Sequence, residues 1–178
     1  MHVLETKRLI LSRFTLKDAP FILELLNDPG WIRFIGDKKV RTLKAAKEYI
    51  RNGPQKSYAQ LGFGLYAVKL KRSGRTIGMC GLLRRDTLDD ADIGFAFLPR
   101  YTGKGYAFES SAAILDDAHE SWGMKRILAI TSVDNERSGR LLERLGFRYL
   151  KRICFTPGAE ELKLFEKKKA GSSHTRKK

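Results

Sequence analysis

Short apolar runs of strand and helix period alternate along the 178-residue chain. Residues 8–14, Arg-Leu-Ile-Leu-Ser-Arg-Phe, read as a first strand. Thr15 and Asp18 then open a helix with Phe21, Ile22, Leu25 and Leu26 at helical spacing, and the Asn-Asp-Pro-Gly run 27–30 ends it. Residues 31–35 fit neither period. Thr42 is placed as N-cap of a second helix to about Arg51, stopped by Asn52, Gly53 and Pro54. Residues 62–70 read as a second strand. Residues 76–83, apolar on both faces, read as a central third, and 92–98 as a fourth. Ala107, Ile114, Leu115, Ala118 and Trp122 give a helix buried along one stripe. Residues 126–132 form a fifth strand. Asp134 and Asn135 begin a short helix with Leu141, Leu142 and Leu145 inside, Gly146 closes it, and Phe147 starts another strand. The last strand falls at 161–165, and from Lys167 the chain turns polar and basic, as a flexible tail does. Strands alternating with helices make the fold class α/β, in one domain over 1–166 with a tail over 167–178.

Composition narrows the function classes. A hydrophobic share of 42% suffices for one core at this length. Cys80 and Cys154 sit in apolar runs and read as buried small hydrophobes in a reducing compartment. No signal-peptide pattern or membrane-length apolar run is present, so the expected location is cytoplasmic, with no membrane partner. His2, His119 and His174 are scattered without metal-ligand or triad spacing, and no metal is expected. The net charge is +15, and residues 167–178 hold six Lys/Arg without an acid, which leaves +9 elsewhere. Such an excess attracts polyanions, so RNA or ribosome association is one expectation, although no nucleic-acid reader motif accompanies it.

The most chemical stretch is 100–107, Arg-Tyr-Thr-Gly-Lys-Gly-Tyr-Ala, between the fourth strand and a helix start. Strand, glycine turn and helix start together aim unpaired backbone N–H groups and the positive helix end at one volume, which suits a phosphate. Gly103 and Gly105 leave room for it, and Arg100 and Lys104 can add charge. An ordinary glycine turn is the alternative. A dinucleotide-binding oxidoreductase fits poorly, because Phe108 stands where a third glycine is needed.

These motifs together resemble the GNAT superfamily of acetyl-CoA-dependent N-acetyltransferases. Arg100, Gly103 and Gly105 match its coenzyme-binding turn, while Asn135, Ser138, Leu141, Leu142, Leu145, Gly146 and Phe147 match its second signature. The opening Glu5, Thr6, Arg8, Leu9 and Leu11, with Thr15 and Asp18, is similar to the branch holding the ribosomal-protein alanine acetyltransferases. The resemblance implies a single domain with a mixed central sheet, helices on both faces, splayed between the fourth and fifth strands. Acetyl-CoA would be the acetyl donor. Phe95, Ala96, Phe97, Arg100, Gly103, Lys104, Gly105, Tyr106, Ala107 and Asn135 would bind it.

The acceptor would be a primary amine, a protein or peptide N-terminus or a small molecule; a non-catalytic coenzyme A- or RNA-associated module is the alternative. Many members carry a tyrosine where Leu142 stands, so Ser138 becomes the candidate proton donor to the leaving thiolate, a locally bonded serine being the other reading. Asp92 is the candidate base or, failing that, a solvated strand-end acid. Gly94 marks a bulge or close approach at that splay or, equally, is a poorly packed strand residue. Asn135 is a helix cap, alone or with its amide on the coenzyme. Glu109 reads as a structural acid.

Overall fold

The computed structural model describes residues 3–169. Eight strands form one mixed sheet: β1 (Val3–Glu5), β2 (Leu9–Arg13), β3 (Leu65–Leu70), β4 (Thr76–Leu83), β5 (Asp92–Phe97), β6 (Arg126–Ser132), β7 (Arg148–Ile153) and β8 (Leu162–Lys168). Their order is β1-β2-β3-β4-β5-β6-β8-β7, antiparallel throughout except for β5 against β6. The helices are α1 (Ala19–Leu26), α2 (Pro29–Ile35), α3 (Leu43–Ile50), α4 (Lys56–Leu61), α5 (Tyr106–Glu120) and α6 (Glu136–Arg144).

The sheet has two buried faces. On one, Ile114, Leu115 and Ala118 of α5 and Leu142 of α6 pack on Leu11, Val68, Leu82, Ile93, Ile127 and Ala129. On the other, Ile22, Leu25 and Leu26 of α1 and Ala46 and Ile50 of α3 pack on Ala67, Met79 and Leu98. Each large aliphatic chain buried this way contributes about 1.5–3 kcal/mol relative to exposure. Strand alternation delivers the two faces, with Ile93, Phe95 and Phe97 on the α5 side and Ala96 on the α1 side.

Several elements differ from the sequence expectation. A short first strand, Val3–Glu5, pairs with β2, so the expected fourth and fifth strands are β5 and β6. The run 27–30 does end α1, but it also starts α2. Asp28 accepts from Gly30 N and Trp31 N, and Pro29 stands at the first helical position, where its missing N–H costs nothing. Pro54 does not stop the helical path; a π-helical turn (Arg51–Gln55) absorbs it and passes into α4, which Gly62 closes at φ 81°. Strand β8 reaches Lys168 because Ile127 and Arg126 of β6 pair with Lys167 and Lys168. Residues 170–178 of the expected tail lie outside the described residues. Cys80 is buried, which pushes its thiol up to about 11, whereas Cys154 is exposed. Among the described residues no helix is long and apolar enough to cross a membrane.

The close approach of β3 and β4 is set by glycines. A Cβ on Gly81 would lie 2.1 Å from Gly64 O, a backbone atom that cannot swing aside. On α6, a Cβ on Gly139 would meet nothing nearer than Phe165 Cζ at 3.8 Å. Thermal melts should therefore separate them. Gly81→Ala should lose at least about 1–3 kcal/mol, as overpacking does. Gly139→Ala should gain up to about 1 kcal/mol from helix propensity.

Candidate active site

The site begins where pairing between two strands stops. Strands β5 and β6 share a single register pair, Asp92 with Leu128, beside the bond from Leu128 N to Ala91 O. Backbone groups alternate along a strand, and Leu98 N donates to Ile77 O of β4, so 92, 94, 96 and 98 point toward β4. Ile93, Phe95 and Phe97 consequently point toward β6. Beyond the single pair, Phe95 and Phe97 face a strand that has moved away, and so does Ile130 from the other side. The result is a slot with backbone donors and acceptors on both walls. Ser132 O is already engaged by Asn135 N. The splay expected between these strands is present.

At the mouth of the slot stands α5. Gly103 and Gly105 adopt φ 75° and 81°, a left-handed region open to glycine at little cost. Gly105 is the N-cap, and the first helical bond runs from Glu109 N to Gly105 O. The N–H groups of Tyr106, Ala107 and Phe108 therefore project from the helix start without an intrahelical acceptor. Over 15 residues the helix dipole adds roughly half a positive charge there. A Cβ at Gly105 would fill this cradle 3.2 Å from Arg8 Nη2, and one at Gly103 would lie 3.8 Å from Arg137 Nη2.

The cations at the cradle are only partly those expected. Arg100, on the 3-10 turn Pro99–Tyr101, is held on Glu24 of α1 through bonds of 2.5 and 3.3 Å, where the carboxylate neutralises its charge. Lys104 Nζ lies 5.7 Å from the Tyr101 ring centroid. Arg8 and Arg137, which sequence spacing did not single out, take the places beside the two glycines. Arg8 lies 96 residues before Lys104 in the chain, so only the pairing of β2 into the sheet brings it here. Glu109 is the structural acid expected. Burial opposes its ionisation, yet hydrogen bonds from Thr6 Oγ1 and from the Arg8 backbone and guanidinium outweigh that and hold its carboxyl below the usual range.

Asn135 caps α6, its Oδ1 accepting from Ser138 N at 3.1 Å, which leaves its amide nitrogen for other partners. Ser138 stands in the first turn, partly buried, and among the described residues its hydroxyl makes no hydrogen bond to the local backbone. Leu142, one turn on, is in the core at 1% exposure. Thr131 Oγ1 is buried without a partner among the described residues. It shares the face of Ile127 and Ala129, beneath α5 and α6. An orphaned hydroxyl there suits a polar chain entering the slot, since leaving it unbonded costs about 1–3 kcal/mol.

Asp92 sits at the closed end, where β5 and β6 are still paired. It is 1% exposed rather than solvated, and both carboxylate oxygens accept from Arg85 Nε at 3.0 and 3.1 Å. Burial raises its carboxyl above the usual range, and Arg85 offsets only part of that. Gly94 is not at a bulge. It pairs with Gly81 in regular register, and a Cβ there would meet Leu83 Cδ1 at 2.7 Å, which makes it a close approach. At the far lip, Ser132 Oγ donates to Phe34 O and Arg33 pairs with Asp134, so α2 roofs the end of β6.

Known proteins resemble this chain in sequence and in architecture. The family model described as an acetyltransferase (GNAT) domain matches residues 8–148. The N-acetyltransferase YoaA of Bacillus subtilis (strain 168), itself uncharacterised, is 28% identical over 148 residues, covering 82% of each chain. The acetyltransferase of Agrobacterium tumefaciens str. C58 superposes with a TM-score of 0.80 at 21% identity, over 95% of both chains. RimL, a ribosomal L7/L12 alpha-N-protein acetyltransferase solved with coenzyme A, gives 0.80 at 14% identity, over 94% of this chain and 98% of its own. With the family model covering most of the chain, and with the splayed strands and glycine cradle in place, this protein belongs to the GNAT acetyltransferase family.

Proposed function

We propose that the chain acetylates an α-amine, the N-terminus of a protein or peptide, by direct attack on the thioester of acetyl-CoA bound in the slot. The carrying observation is the open β5–β6 ladder that runs into the glycine cradle. Phosphates fit the N–H groups of Tyr106, Ala107 and Phe108, with Gly103, Lys104 and Gly105 beneath. The pantetheine amides fit the free backbone of Phe95 and Phe97, with Ala96 between them and the Asn135 amide opposite. A thioester oxygen on a free N–H of this wall would be stabilised as charge develops on it. RimL, a protein of the same fold, was solved with coenzyme A, which supports the coenzyme as the ligand. Arg100 supports the turn from the side by tying it to α1.

The base available favours an α-amine. Asp92 is the acid at the closed end, where burial raises its basicity and the Arg85 guanidinium offsets part of that. A carboxylate of this kind, acting through water, suits an amine of pKa about 8, already partly neutral at pH 7. A lysine amine near 10.4 would ask for far more. Exposed Ile32 and Ile35 on α2, beside the lip, offer apolar surface for the chain that carries the amine. A small-molecule amine would need the same chemistry without that surface.

Three measurements test this reading. Gly105→Val should raise the calorimetric Kd for coenzyme A at least about tenfold, because its side chain stands in the cradle. Some stability should go with it, about 1–2 kcal/mol for a branched residue at positive φ. An unchanged Kd would remove the cradle assignment. Asp92→Asn should lower kcat/KM for an N-terminal peptide at pH 7 and matter less at pH 9, where the amine is neutral without help. A pH-independent loss would make Asp92 purely structural.

Ser138→Ala tests the proton donor. Lost acid assistance should lower kcat by about 10²–10⁴ under conditions where chemistry limits turnover. Coenzyme affinity and Tm should stay close to wild type, since the hydroxyl holds no local backbone bond. Near-normal kcat would hand the role to water.

A further inference from the structure

We propose that Arg8 is the side chain that neutralises the coenzyme's pyrophosphate, and that Glu109 acts as its positioning residue. The inference rests on the reading of the cradle as the acetyl-CoA site. Arg8 stands just before β2 and reaches across to the start of α5. Its Nε donates to Glu109 Oε2 at 2.6 Å, and its Nη1 to Lys104 O at 3.0 Å. Its guanidinium carbon lies 4.5 Å from the Tyr106 ring centroid. Nη2, the third nitrogen, makes no hydrogen bond among the described residues and lies 3.2 Å from the point a Gly105 Cβ would occupy. Two edges of the fork are thus fixed by protein, and the third faces the helix mouth.

Glu109 makes the arrangement more than a surface ion pair. A carboxylate in the first turn favours the helix but repels an anion at its end. Here Oε1 accepts from Thr6 Oγ1 at 2.5 Å and from Arg8 N at 2.8 Å, and Oε2 holds the guanidinium. The glutamate side chain is 17% exposed and the arginine 43%, so the acid lies beneath and the cation faces outward. The rival cations are held elsewhere or lack such anchoring. Arg100 is on Glu24, and Lys104 is a flexible ammonium over Tyr101. Arg137 rises from an exposed helix face. A planar fork held in place before the ligand arrives loses less freedom on binding than a free side chain.

The alternative is a clamp between β2 and α5 that never meets the coenzyme, and binding measurements on the full chain separate the two. Coenzyme A is titrated calorimetrically into wild type, Arg8→Gln, Arg8→Lys, Glu109→Gln and the Arg8→Gln/Glu109→Gln double variant, at low and high salt. Arg8→Gln should weaken binding about ten- to a hundredfold, the loss of one charge-assisted bond, with a shallower salt dependence. KM for acetyl-CoA should rise in step while kcat stays close to wild type. Arg8→Lys should fall between, because one ammonium cannot hold Glu109 and reach the phosphate together. Glu109→Gln should weaken binding when Arg8 is present and have no such effect when it is absent; unchanged or tighter binding with Arg8 present would overturn the positioning role. A folded Arg8→Gln with wild-type Kd and salt dependence would overturn the proposal. If that variant fails to fold, an unchanged Kd for Arg8→Lys does the same. A wild type that binds no coenzyme A would remove the cradle reading itself, and Arg8's role with it.

Discussion

The structure depends on one interrupted ladder. A sheet of eight strands satisfies its backbone groups by pairing, and a buried group left without a partner is costly. Between β5 and β6 that pairing is abandoned after Asp92 and Leu128. The strands on either side hold the gap open. Strand β4 pairs with β5 along six positions, and β8 pairs with β6 along seven, so neither strand needs the other to stay extended. A ligand that offers amides to the gap completes the sheet.

Charge follows the same logic. The chain is strongly basic, yet many cations are already committed to partners far from the slot. Glu166 alone is approached by Arg126, Arg148 and Lys168, with hydrogen bonds from Arg148 holding its carboxyl below the usual range. At the start of α5, helix N–H groups meet Arg137 of α6 and the outward edge of Arg8, whose charge Glu109 offsets from beneath. Net charge describes how the surface meets solvent and polyanions; the position of a few guanidinium groups describes what the slot can hold.

Much of this was legible in the residues. The glycines of the cradle, the capping role of Asn135 and the strand carrying Phe95 and Phe97 follow from local rules: period, caps and left-handed turns. Arg8 was not legible as part of the site, because its place is set by pairing between β2 and β3 and by packing of α5 across both. Arg100 shows the opposite failure. Its spacing from Gly103 suggested a cradle cation, but a charged side chain goes to the nearest carboxylate, and Glu24 comes from a helix 76 residues earlier. Asp92 looked like a solvated acid because sequence shows charge but not depth. Pro54 misled in another way: a π-turn tolerates what an α-helix does not.

The same interrupted ladder divides the sheet into two leaves, β1 to β5 and β6-β8-β7. They meet at one backbone pair, so backbone pairing alone would leave them free to swing about Asp92 and Leu128. At the open end α2 also bridges them, reaching from the first leaf's helical layer to the second through Phe34 O on Ser132 and Arg33 on Asp134. Packing of α5 on Leu82 and Ile93 of one leaf and on Ile127 and Ala129 of the other joins them through the core, and the seven-residue α2 adds a strap at the lip. That strap also carries the exposed apolar surface of Ile32 and Ile35, so a chain lying there would press on an element that touches both leaves.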